Sequence, residues 1–375
     1  SVVEDTSFEG DKYALSLGAA SNTTIENVHI RGSDTRATIH TGLQIYESEH
    51  TTMRNSSIQD SDLLPFYVQA PRNDRSPTHF VHDIDTSNTI DGKPIYYYTD
   101  ETDLLIDAPT GVGFLGIVNS TNVTVRNYQL SGMGQGLLVA NSETVLVEDI
   151  QLAGNYYGFT LSGTTDATVR DSVFDKSGWF GIEATDVIET TFDNVTVTDT
   201  ADPGFSDRGG IWVEDGLNTT VQNSTIWNNE YKGIVVDGNR TTITGNEIKG
   251  SPTGDGIFTF RYDSTVTHNV IDNYQTGIEA NAVNETIAFN QITSAGTGVV
   301  ADGDNTTVQS NVLSGAVEYG IEVGPYTVTV QNNSVTNSEW GVYVDNPGAD
   351  EAVHVVDNSL TDNKRGIVLD SAEDV

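Results

Sequence analysis

The sequence predicts an all-β fold, a solenoid of short stacked strands, and three observations carry that prediction. A glycine followed by an apolar, mostly branched residue returns at Gly136, Gly158, Gly181, Gly210, Gly233, Gly256, Gly277, Gly298, Gly320, Gly341 and Gly366, in steps of 21 to 29 residues. A fixed period in this range marks a repeat architecture whose units must stack to bury a core. Between the glycines, short runs alternate apolar and polar residues and are separated by Gly, Asn and Asp, the pattern of strands and turns. Helix signals are nearly absent.

One repeat reads Thr241-Thr242-Ile243-Thr244-Gly245-Asn246-Glu247-Ile248 and continues as Gly256-Ile257-Phe258-Thr259-Phe260. Stacking aligns equivalent residues. One inward column runs Phe159, Ile182, Ile211, Ile234, Ile257, Ile278, Val299, Ile321, Val342 and Ile367. A second, two residues on, runs Leu161, Ala184, Val213, Val236, Thr259, Ala280, Ala301, Val323, Val344 and Leu369. The two-residue period of a strand turns both columns inward and the residue between them outward. A third column, Asn246, Asn269, Asn290, Asn311, Asn333 and Asn358, places at a turn the side chain best suited to hydrogen-bond the turns above and below. The beat gives about a dozen coils in one domain over 1–375. Neither end shows a cap, so a piece of a longer protein with neighbouring domains is expected.

The beat fails in two places. From 63 to 114 prolines, charges and the run Tyr96-Tyr97-Tyr98 predict an irregular insertion. The longest step, ending at Gly210, carries a loop insertion over 199–210.

The segment Asn88-Thr89-Ile90-Asp91-Gly92-Lys93-Pro94-Ile95-Tyr96-Tyr97-Tyr98, then Gly113-Phe114-Leu115-Gly116-Ile117-Val118 and the Gly-Ile coils, resembles the NosD-like family of archaeal surface proteins, from about Asp83 onward. The resemblance implies a right-handed parallel β-helix, in a wider group of carbohydrate-binding proteins and sugar hydrolases. The copper-related role of some relatives does not carry over. Copper favours His, Met and Cys clusters, and this chain has seven His, two Met and no Cys.

With 54 acidic and 17 basic residues the net charge is −37. Such a surface repels itself in dilute buffer and is relieved by salt, as in salt-adapted archaea; carboxylate ladders holding calcium are the competing explanation. The charge disfavours nucleic acid and anionic membranes as partners. No run is long and apolar enough for a membrane span. The absence of cysteine excludes disulfides and thiolate metal sites. Sequons begin at Asn22, Asn55, Asn119, Asn122, Asn194, Asn218, Asn223, Asn239, Asn284, Asn305 and Asn332; turn sequences of the Asn-Thr-Thr kind create them by accident, yet a secreted or cell-surface glycoprotein would carry glycans at some.

Candidate chemistry falls into three groups. His79 and His82, with Asp83 and Asp85 beyond, are the best local metal set, but residues three apart on a strand face opposite sides, so an ordinary polar loop is the expectation and no metal site or resident cofactor is assigned. The loop insertion gathers Asp199, Asp202, Asp207 and Arg208. Paired carboxylates suit glycoside hydrolysis, and carboxylates on calcium with an arginine base would suit a polysaccharide lyase. The chain lacks the Asp-Asp and His-Gly motifs of hydrolases on this scaffold, so a solvated loop is the default. Trp179, Phe180, Phe205, Trp212, Trp227 and Tyr231 surround the same insertion. Rings flanked by carboxylates can stack on sugar C–H faces while hydroxyls take the polar groups; alternatively they cover turns. The functional expectation is non-catalytic binding of a polysaccharide or surface glycan, with a lyase or hydrolase, or a purely architectural fibre segment, as alternatives.

Overall fold

The computed structural model describes residues 1–32, 41–59, 64–71, 76–201, 209–250, 252–345 and 352–370. The chain falls into two compact units, Ser1–Thr185 and Asp186–Val375. Both are all-β parallel β-solenoids, with about 15 turns between them. Among the described residues the helical element is one 3-10 turn, Pro77–Phe80.

A turn typically holds three strands; the one with Leu105–Asp107 and Phe114–Val118 holds two. In the second unit one turn is Thr220–Gln222, Thr225–Trp227 and Lys232–Asn239. Its strands pair in parallel register with Thr242–Thr244, Glu247–Lys249 and Asp255–Tyr262 of the next turn. The reason for the glycine beat lies at the start of each third strand. A Cβ on Gly277 would sit 2.5 Å from the carbonyl oxygen of Gly298 and 2.6 Å from Cγ2 of Ile292; one on Gly298 would sit 2.4 Å from the carbonyl of Gly320. The beat residue therefore faces inward, as does the apolar residue after it, and glycine at these positions leaves room for the next turn. Residues one before and two after the glycine then emerge together on the outer face.

Both inward columns are fully buried from Phe159 to Val344. Ile367 and Leu369, assigned to them by spacing, are instead half exposed, because no further described turn lies against them. The asparagine column is a continuous ladder. Asn246 donates through its backbone N and through Nδ2 to Oδ1 of Asn269, each at 3.0 Å, and the pattern repeats through Asn290, Asn311, Asn333 and Asn358. Each Nδ2 also donates to an interior carbonyl, as Asn290 does to Val266 at 2.9 Å. The ladder satisfies backbone groups that a buried turn would otherwise orphan. The left-handed backbone belongs to the residue before it, Gly245, His268, Phe289, Ser310, Asn332 or Asp357.

The segment from 63 to 114 is corrected by the structure. Its described parts contain Leu64–Gln69, Asp83–Ile84, Thr89–Ile90, Lys93–Thr99 and Leu105–Asp107, all paired with strands of adjoining turns. Together with turns nearer the start, they raise the count above the expected dozen. Pro65 and Pro94 mislead because they occupy the second residue of a third strand, the place of the beat glycine, as the pairings Thr41↔Leu64 and Ile95↔Phe114 show. A proline near a strand's beginning costs little there. Asp91 and Gly92, with φ of 49° and 75°, close an antiparallel hairpin between Thr89–Ile90 and Lys93–Thr99.

In the first unit the chain covers its own outer face. Oε1 of Gln135 accepts from the backbone N of Val68 at 3.3 Å, the Tyr157 hydroxyl donates to Gln69 at 3.2 Å, and Asn141 Nδ2 donates to the carbonyl of Pro77 at 2.8 Å. Outward-pointing Leu138 and Thr160 are consequently buried.

Candidate functional site

In the unit Asp186–Val375 the corresponding outer face carries no such covering segment among the described residues, and its third strands lengthen. Gly209–Leu217, Lys232–Asn239, Asp255–Tyr262 and Thr276–Val283 have eight or nine residues, against five in Thr297–Ala301. The extra length presents further outward positions. Register places Trp212, Val235, Phe258 and Glu279 in one outward row and Glu214, Asp237, Phe260 and Asn281 in the next.

Polar groups interlock across these rows. Lys232 Nζ lies 2.8 Å from Asp255 Oδ2, both largely shielded, and 3.9 Å from the centroid of the Phe258 ring. Burial, and after it the adjacent Asp255 carboxyl, holds Glu279 above the usual carboxylate range, while Asn281 Nδ2 donates to Glu279 at 3.1 Å. Arg261 reaches Asp215 at 2.5 Å and bonds Asp237 through Nε and Nη2. Those bonds raise the guanidinium pKa, so Arg261 stays a cation. Its φ of 90° is costly for a side chain with a Cβ, and such residues gather where other contacts over-determine them. Phe260 and Tyr262 stand about half exposed beside this network. The arrangement offers aromatic faces for apolar contact and fixed carboxylates, an amide and a cation for hydroxyls.

The residues expected from the sequence separate. Trp179 and Phe180 lie in the first unit, where Trp179 stacks on Tyr157 at 5.5 Å and meets Tyr156 edge-on at 5.2 Å, and Tyr67 lies 5.7 Å from Tyr157. Phe180 is 1% exposed and presents no face to a ligand, which removes it from the expected platform. Trp212 belongs to the outer face just described. Trp227, 38% exposed, sits on the second-strand sheet in register with Thr198 and Lys249, so it does not share a surface row with Trp212. Tyr231 is half-buried just before Lys232. Asp199 is an exposed turn residue with φ of 53° at the edge of an open cleft that Asn228, Asn229 and Glu230 also line. Phe205, Asp202, Asp207 and Arg208 lie outside the described residues.

Sequence reasoning follows the residue before each beat glycine and, Trp212 apart, passes over the one two positions after it. Phe258 and Glu279 share that place with Trp212, and alternation around the glycine finds them.

The two histidines are core residues. His82 Nδ1 accepts from the backbone N of Thr51 at 3.2 Å. Burial lowers its pKa to about 4, with His50 and His79 adding to the effect and the His79 carbonyl opposing it. Among the described residues no group of three or more His, Cys, Asp or Glu is placed to hold a metal ion. Among the described residues no helix is long and apolar enough to cross a membrane. Of the sequon asparagines all but Asn239 have a left-handed backbone, the conformation that turns demand of them.

A stacked parallel solenoid with a decorated outer face defines the class of β-helix proteins. The chain belongs to the right-handed β-helix family, whose model matches residues 112–269 and 209–375. No curated protein matches it in sequence. Among solved structures, the DFA-IIIase of Arthrobacter chlorophenolicus A6 in complex with GF2 is 13% identical with a TM-score of 0.50, over 76% of this chain and 85% of that one. The periplasmic alginate epimerase AlgG is 13% identical with a TM-score of 0.48, over 93% and 78%. A tailspike protein mutant of E. coli bacteriophage HK620, in complex with a pentasaccharide, is 12% identical with a TM-score of 0.48, over 72% and 61%. At these identities the likeness is one of fold.

Proposed function

We propose that this protein is a non-catalytic glycan-binding or adhesion protein, secreted or held at the cell surface of a salt-adapted archaeon, and that the outer face of Asp186–Val375 is its binding surface. The observation that carries this reading is the pair of rows, without a covering segment among the described residues, in which Trp212, Phe258 and Phe260 alternate with Asp237, Glu279 and Asn281. Sugars need both kinds of surface, ring faces for C–H groups and fixed polar groups for hydroxyls. The net charge of −37 supports a salt-rich setting.

A second reading has its own support. Asp255 and Glu279 are neighbouring carboxyls, and burial raises the pKa of Glu279; a carboxyl pair can divide acid and base roles in glycoside hydrolysis. A lyase using Arg261 as base has less support, because two carboxylates keep that guanidinium charged.

The test incubates the protein with neutral and acidic polysaccharides in molar salt, with calcium and with chelator, and follows retained polymer and released fragments. Retention that falls in Trp212→Ala and Phe258→Ala, without fragments, supports the binding reading. Fragments lost in Glu279→Gln would replace it with hydrolysis. Neither retention nor fragments would leave the architectural role.

A further inference from the structure

Beyond the rows at Trp212 and Phe258, the same unit carries a second aromatic group. Tyr319 and Trp340 are register partners on adjacent third strands, each one residue before a beat glycine. Tyr343 is two residues after the glycine that follows Trp340, so it emerges on the same side. The three ring centroids lie 4.7 to 4.8 Å apart, tilted rather than sandwiched. All three rings remain partly exposed. Nε1 of Trp340 is a shielded donor with no hydrogen-bond partner among the described residues.

Carboxylates adjoin this group. Glu322 is in register with Tyr343, and Asp302 has its Oδ1 over the backbone of Gly324, where a Cβ would lie only 2.0 Å away. Burial comes first in raising the pKa of both; Glu318, Asp345 and Asp302 then act on Glu322, and Asp345 acts on Asp302. Among the described residues Asp302, Glu322 and Asp345 form no ion pair. The nearby cations are otherwise engaged: Lys364 pairs with Glu339 at 2.7 Å, and Arg365 lies over the Trp340 ring at 5.3 Å. The carboxylates are not grouped to hold a metal ion. Crowded like charges beside ring faces cost free energy that a ligand cation relieves, and rings attract cations as well as sugar C–H groups.

We propose that Tyr319, Trp340 and Tyr343, with Glu322, Asp302 and Asp345, form a subsite for an oligosaccharide carrying free amino groups. The inference rests on the glycan-binding reading and narrows its ligand class. The rings take the pyranose faces and the carboxylates take the ammonium groups. Charge complementarity selects this occupant over uronic-acid polymers, which the acidic surface repels.

The experiment measures binding of β-1,4-linked glucosamine tetramer, its N-acetylated counterpart and a lysine tetramer by titration calorimetry in 1 M salt, which suppresses general attraction to the acidic surface. The glucosamine tetramer is expected to bind at least tenfold more tightly than the acetylated one. Trp340→Ala, and separately Glu322→Gln with Asp345→Asn, should each remove tenfold or more of that affinity while leaving lysine-tetramer binding unchanged. The charge-neutralised pair keeps the rings, so it serves if the tryptophan variant fails to fold. Equal binding of the two sugars, lost in Trp340→Ala, would overturn the amino-sugar inference and leave glycan binding standing. Affinity for glucosamine that follows lysine through every variant would also overturn it, as would no binding of either sugar here when the polysaccharide panel is retained through Trp212.

Discussion

Glu285 should make the second unit lose stability as pH rises, and replacing it should abolish that loss. Its side chain is 1% exposed. Oε1 accepts from Thr259 Oγ1 at 2.6 Å and Oε2 from the backbone N of Ala282 at 3.2 Å. Burial raises its pKa from 4.5 to about 7 against these two stabilising bonds, and no charged side chain contributes. The folded protein therefore binds this proton more tightly than the unfolded chain. The associated stability is fully present below pH 4.5 and is lost as pH rises to about 7. A shift of this size corresponds to about 3 kcal/mol. Glu285→Gln keeps an acceptor for Thr259 and cannot ionise. Thermal unfolding of both proteins from pH 4.5 to 8, in constant molar salt, provides the assay. The variant should gain on the parent across that range, by roughly 2–4 °C per kcal/mol for a unit of this size. Melting curves that stay parallel at every pH would refute the reasoning.

Three further outcomes are expected. Asn290→Ala removes the acceptor for two donors of Asn269 and the donor to Val266; with buried groups left unpaired it should cost about 3 kcal/mol in denaturant unfolding. Gly277→Ala should destabilise far more than Gly366→Ala, since the first Cβ meets a carbonyl at 2.5 Å and the second meets nothing within 4 Å; paired melts decide it. Raising salt from 0.1 to 1 M shortens the screening length from about 10 Å to about 3 Å, so a chain of net charge −37 should melt higher in salt, and a flat response would argue against charge repulsion as a destabilising force.

The core of the fold was readable because its determinants recur. Glycine at the beat, branched residues one and three positions later, and the asparagine ladder each repeat a local requirement, so spacing alone places them. Substitutions within a repeated place were harder to read. Pro65 and Pro94 looked like breaks because proline was judged by its usual habit, whereas register puts both at the beat position. Glu285 holds the place that Ser264 and Thr306 hold in adjoining turns, and Thr259 is the polar member of an otherwise apolar column; that these two exceptions bond each other is a matter of packing, not spacing. The functional face was half legible. Residues before the glycine stand out in the sequence, yet Phe180 is buried and Trp227 lies on another sheet, because aromatic character says neither whether a ring is covered nor which sheet carries it.

The glycine beat also governs how this surface can change. Each turn fixes its interior through the glycine and its apolar followers and leaves two outward positions unconstrained by the core. Lys232 with Val235, Asp255 with Phe258, Thr276 with Glu279 and Trp340 with Tyr343 are successive settings of the same two positions. Strand spacing of about 4.8 Å then writes them in evenly spaced lines. The outer surface can be revised one turn at a time, by single substitutions that leave the stack untouched, so chains of this architecture can keep one interior while presenting different surfaces.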